Sequence, residues 1–159
     1  MSTSNMYILS QRSTRHVAEF RNGWGSAPRC WDYLSEKYLG RKTSMFGDMQ
    51  SVWGLHTDSR LLECEKTAML ITFDRAYIPL ANLEEAGEAC AQFGTLCEDG
   101  VRVNHWPAFG VALKELAGRK FNRHARGVVI SATSVNDVWG WPSREQLDGA
   151  WPIYDTPAP

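Results

Sequence analysis

Three stretches of the chain place apolar residues at a clear helical step, and three others carry short apolar runs of strand length. The clearest helical stripe is Leu83, Ala86, Cys90, Phe93 and Cys97, spaced 3, 4, 3, 4 behind a capping Asn82. A second stripe, Trp106, Phe109, Leu113 and Leu116, follows Asn104 as cap and Pro107 in the first turn, and Gly118 stops it. A third is Cys30, Trp31, Leu34 and Tyr38, with Ser26 as N-cap, Pro28 in the first turn and Gly40 at the end. Residues 44–54 predict a weaker helix with Met45, Met49, Val52 and Trp53 on one side. Residues 6–10 (MYILS) and 127–135 (GVVISATSV) predict strands. The near-continuous apolar run 68–73 (AMLITF) predicts a third strand, buried on both faces. Residues 11–25 fit either a strand or a short helix near Arg15–Phe20, and 55–65 reads as a polar loop.

The resulting order is β-α-α-β-α-α-β followed by a tail, which predicts a single α+β domain: a small sheet of three or more strands packed by about four helices. The domain is expected over 1–138. From 139 to 159 the chain holds Trp139, Trp141 and Trp151 among four prolines. Proline lacks the amide hydrogen that a central strand or a helix interior needs. The tail is therefore expected to wrap over the body with its tryptophans as anchors. No internal repeat or low-complexity tract divides the chain.

Composition adds two facts. The chain has 159 residues with 43% hydrophobic and 22% charged positions, values of an ordinary globular domain, but seven tryptophans. Its net charge of −1 conceals alternating blocks. Residues 1–42 net +4, 43–99 net −7, 100–127 net +5 and 128–159 net −3. Such blocks either pair on the folded surface or leave one acidic and one basic face for a partner. No run approaches the ~20 apolar residues of a membrane span. The polar N-terminus lacks the pattern of a secretory signal, so a cytoplasmic location is expected. Cys30, Cys64, Cys90 and Cys97 form no C-x-x-C pair and are read as free thiols.

Chemistry-bearing motifs are sparse. His16, His56, His105 and His124 stand at no metal-ligand spacing, and no metal or cofactor is expected. Cys90 and Cys97 lie about 10 Å apart along a helix, too far for a shared ion. His56-Thr57-Asp58 matches one half of a two-histidine phosphodiesterase motif, but no second H-x-T/S occurs. Gly23-Trp24-Gly25-Ser26 leads into a helix without the lysine of a phosphate loop. A small hydrolase or transferase would draw on polar groups at strand ends: His56, Asp58, Asp74, Asn104, His105, Ser134 and Asp137. Arg119, Lys120, Arg123 and Arg126 surround Phe121 and offer a short basic patch for nucleic acid, or ion pairs to the acidic helix region 84–99.

A Trp-rich domain with Asn104-His105-Trp106-Pro107 and Thr133-Ser134-Val135-Asn136-Asp137-Val138-Trp139-Gly140, and no catalytic signature, resembles in general character the small accessory proteins of tailed bacteriophages. The resemblance implies a protein that binds and blocks or modulates a host protein in the host cytoplasm. A protein–protein interaction module is accordingly the leading expectation. Its contacts are expected through the basic segment and through Trp139, Trp141 and Trp151, because tryptophan is enriched at binding hot spots. The sequence is compatible with a monomer or a homodimer.

Overall fold

A computed structural model describes residues 3–21, 26–41, 49–73, 75–101, 103–133 and 144–154. The chain is an α+β domain. Two strands come first, β1 (Thr3–Ser10) and β2 (Thr14–Arg21), then helices α1 (Ser26–Leu39) and α2 (Met49–Gly54). A 3-10 turn (Leu55–Thr57) leads to α3 (Glu63–Ile71), β3 (Ala76–Pro79) and a second 3-10 turn (Leu80–Asn82). Then follow α4 (Leu83–Leu96), α5 (Trp106–Ala117), β4 (Ala125–Thr133), α6 (Arg144–Asp148) and β5 (Trp151–Pro152).

The strands form one sheet of order β2-β1-β4-β3-β5. The first four are antiparallel neighbours, and β5 joins β3 in parallel. Alternation along each strand sorts the two faces. Met6, Ala76, Ile78, Val128 and Ile130 face the helices and join Leu34, Ala68, Cys90, Phe93, Trp106 and Leu113 in the main core. On the other face Tyr7, Leu9 and Val129 are buried beneath Leu147 of α6.

The stripes predicted on α1, α4 and α5 are the buried faces of those helices: Cys30, Leu34, Leu83, Cys90, Phe93 and Leu113 are 0% exposed. Residues 14–21 resolve the open choice as strand. The run 68–73 is not a strand. It is the second half of α3 and the turn after it, and the strand lies further on, at Ala76–Pro79. The polar stretch 55–65 likewise ends in the first turn of α3. Every residue from Thr67 to Ile71 is buried, so this half of the helix has no wet side to impose a period. The weak helix predicted over 44–54 is present as α2 at 49–54, and 42–48 lie outside the described residues. Among the described residues of the tail, Leu147 (1% exposed) and Ile153 (9%) are buried, and Trp151 stays 54% exposed.

Helices α4 and α5 cross at backbone contact. A Cβ on Gly110 would stand 2.6 Å from the Gly87 carbonyl oxygen, and one on Gly87 would stand 2.9 Å from that of Gly110. Backbone cannot swing aside as a side-chain tip can. Gly110→Ala is therefore expected to wedge the helices apart and cost about 1–3 kcal/mol, read as a lower urea midpoint.

Candidate functional site

The last turn of α2 sets the site. Helical geometry turns successive side chains by about 100°, so with Val52 fully buried against Ala27 and Trp31, Trp53 is directed outward and is 42% exposed. Leu55, 5% exposed, plugs the 3-10 turn into the core. His56 is held over the same surface by Nδ1, which donates to the Trp53 carbonyl across 2.7 Å. Thr57 Oγ1 donates to the Gly54 carbonyl at 3.3 Å and the Asp58 amide to that of Leu55 at 2.8 Å, which keeps the turn tight.

Two further elements close the site. Phe73 follows α3, its amide bonded to the Leu70 carbonyl at 3.2 Å. Trp151 opens β5, its amide bonded to the Arg75 carbonyl at 2.8 Å. Arg75 itself takes a positive φ of 62°, an uncommon conformation for a side-chain-bearing residue, where the chain reverses from α3 into β3. Together Trp53, Gly54, His56, Phe73 and Trp151 line an open cleft of about 390 Å³. The Trp53 and Phe73 rings meet at 77° with centroids 5.6 Å apart, and His56 meets Phe73 at 72° and 6.4 Å. Among the described residues, every side chain lining the cleft is aromatic.

The polar residues named from sequence are placed as follows. His56 lines the cleft. Asp58 is adjacent in sequence but is held by Arg60, whose Nη2 and Nε bond its carboxylate at 2.6 and 3.0 Å. That clamp, with the Arg60 amide, draws the Asp58 carboxyl down to about 2. Asn104 spans three partners: it donates to the Gly94 carbonyl at 2.8 Å and to Glu98 at 2.9 Å, and accepts the Trp106 amide at 3.1 Å. His105 packs on Phe20 and Phe109, and its amide donates to Ser26 Oγ at 3.1 Å. Asp74, Ser134 and Asp137 lie outside the described residues, as do Trp139 and Trp141.

Arg119, Lys120 and Arg123 are exposed on the connection from α5 to β4; Arg126 is half-buried in β4. His124 ties that connection to the β1–β2 turn through Gln11 at 3.1 Å. The expected pairing with the acidic helix is made elsewhere: Lys114 of α5 bonds Glu88 of α4. All four cysteines are buried free thiols, and burial raises Cys90 to about 12 and Cys97 to about 11. Thiols held so far from ionisation are packing groups. Among the described residues no set of three or more His, Cys, Asp or Glu is arranged to hold a metal, and no helix is long and apolar enough to cross a membrane.

The pattern overlooked Trp53 and Phe73 as site residues. Helical spacing assigned Trp53 to the packed side of α2, and Phe73 to a buried strand. The legible signal was the cluster Trp53-Gly54-x-His56 beside a well-formed core. No family of known proteins, no curated protein and no solved structure matches this chain.

Proposed function

We propose that this protein is a protein–protein interaction module whose contact site is the aromatic cleft, acting in the manner of a phage-encoded modulator on a host protein. One observation carries the reading: Trp53 and Trp151, 42% and 54% exposed, share a single cleft with Phe73 and His56 although they come from opposite halves of the chain. Large aromatic area left in water is recovered when a partner covers it, which is why tryptophan concentrates at hot spots.

The sheet edges are poorer candidates. The outer strand β2 carries Arg15 and Glu19, and a bulge interrupts its pairing where Met6 passes to Tyr7. The opposite edge, β5, ends in Pro152, which has no amide hydrogen to offer. Strand addition is disfavoured at both.

The test is capture on the tagged chain from nuclease-treated bacterial lysate, read by mass spectrometry. One dominant partner is expected. Trp53→Ala is expected to weaken its retention by about 30-fold, equivalent to roughly 2 kcal/mol, without changing the unfolding midpoint materially. Equal retention by Trp53→Ala would remove the cleft from the contact. Loss of capture on nuclease treatment would instead favour the cations at 119–126.

A further inference from the structure

We propose that the cleft is an aromatic cage for a methylated ammonium group carried on a lysine side chain of the partner, an inference that rests on the cleft being the contact site. Three features of the cleft point there. Its described side chains are four π systems, with no aliphatic or charged group among them. The walls formed by Trp53, Phe73 and His56 meet near right angles, at 77° and 72°, as the sides of a box do. The segment 43–99, which supplies every lining residue except Trp151, nets −7.

Each feature selects against another ligand. A neutral aliphatic side chain gains as much from leucine or valine walls as from aromatic ones. Aromatic faces add a negative quadrupole, which attracts a cation within about 6 Å of the ring centroid. An unmethylated ammonium brings three N–H donors, and the described side chains of the cleft set at most one acceptor against them, His56 Nε2. His56 Nδ1, the nitrogen fixed by the structure, is committed to the Trp53 carbonyl at 2.7 Å. A trimethylated ammonium keeps the charge, has no donor to satisfy, and presents methyl groups to the rings. The excess of acids over Lys and Arg in the segment that supplies most of the lining favours a cation over an anion as ligand.

Gly54 supplies a clean variant. Its φ of −59° and ψ of −22° are ordinary helical values. A Cβ there would meet nothing within 4 Å. Gly54→Leu therefore leaves the backbone undisturbed while adding an aliphatic side chain at the cleft wall.

The experiment is an NMR titration of the full chain, followed at the tryptophan indole N–H signals. The probes are a short peptide carrying trimethyl-lysine, the same peptide with the uncharged tert-butyl carbon isostere, and the same peptide with unmodified lysine. Trimethyl-lysine is expected to bind roughly 5- to 30-fold more tightly than the isostere, the range that a cation–π term supplies. Unmodified lysine is expected to bind more weakly than trimethyl-lysine. Gly54→Leu is expected to abolish the trimethyl-lysine shifts while retaining a native spectrum. Equal affinity for the charged peptide and the isostere would overturn the cage, as would binding that ignores Gly54→Leu. Phosphatidylcholine vesicles that sediment the wild-type chain but not Gly54→Leu would overturn the polypeptide source. If partner capture depends on Trp53 but trimethyl-lysine fails to bind, the cage alone falls. If trimethyl-lysine binds at the cleft while capture ignores both Trp53 and Gly54, the contact reading alone falls.

Discussion

Replacing Glu65 with alanine is expected to lower the unfolding free energy by about 3 kcal/mol, the lower end of the range for breaking a buried ion pair, because the Lys37 left behind is 40% exposed to water. Glu65 is 0% exposed, at the third position of α3, and its carboxylate collects four donors. Oε1 accepts from Lys37 Nζ at 2.5 Å and from the Tyr33 hydroxyl at 3.1 Å. Oε2 accepts from the Tyr38 hydroxyl at 2.5 Å and from the Leu62 amide at 2.9 Å. The last bond is one half of a capping box; Leu62 has no side-chain acceptor to complete the other. One residue thus starts α3 and fastens it to α1. Removing it takes the acceptor from the Tyr33 hydroxyl and from a helix-start amide at once, while the Tyr38 hydroxyl keeps the Arg60 carbonyl at 3.2 Å. Glu65→Gln retains the shape and one acceptor but turns an NH2 toward donors, so it is expected to recover only part of the loss.

The same cluster predicts the acid limb of stability. Burial pushes the Glu65 carboxyl up, but bonds from Lys37, Tyr38, the Leu62 amide and Tyr33 outweigh it and hold the carboxyl below its ordinary value. A depressed carboxyl contributes stability above its unfolded value of about 4.3 and loses it as pH falls through the folded value. Urea midpoints are expected to be level near neutrality and to fall below about pH 4. In Glu65→Gln this acid-limb slope is expected to flatten. An unchanged slope would assign it to other carboxylates.

Arg29→Ala is expected to cost about 3 kcal/mol, the lower end of the range for breaking a buried ion pair. The Arg29 side chain is 1% exposed. Its Nη1 donates to the Cys97 carbonyl at 2.9 Å and stands 3.5 Å from Glu98, and its Nη2 reaches Asp99 at 2.8 Å. The guanidinium thereby caps the C-terminus of α4, where carbonyls lack helical partners and a positive charge complements the dipole. The acids are 51% and 32% exposed, so water re-solvates them when the cation goes, which keeps the cost from the top of the range. Arg29→Lys is expected to recover little, since one ammonium cannot span the three acceptors. Arg29→Met, which restores the packed stem without the charge, is expected to recover more than lysine. Denaturant midpoints of the three variants give the ranking.

Neither residue stands out in the chain. Arg29 reads as a surface cation on an amphipathic helix, and Glu65 as one acid in a polar loop. Their partners lie 68 and 28 positions away, at Cys97 and Lys37, and no local pattern links them. The cleft is hidden for the same reason: Trp53 and Trp151 share it only because β5 pairs with β3 beside the turn that carries Phe73. His56 was legible as a chemistry-bearing residue, but its role as a wall depends on the bond from its ring to the Trp53 carbonyl.

Wherever a helix has one wet face and one dry one, the residue pattern alone suffices. That holds for α1, α4 and α5, whose stripes could be read directly, and for the existence of β1 and β4, although β1 starts three residues before the expected strand and β4 lies two residues before its own. The fold class follows from those elements, because amphipathic helices and apolar strands in one short chain bury their apolar faces against each other. Where a run is dry on every side, as in residues 67–71 of α3, periodicity vanishes and the run has the pattern of a buried strand. A four-residue strand such as β3 is too short to carry a period at all. Strand order, the burial of Arg29 and Glu65, and the meeting of two distant tryptophans arise only from packing, since contacts between remote segments leave no spacing in the chain.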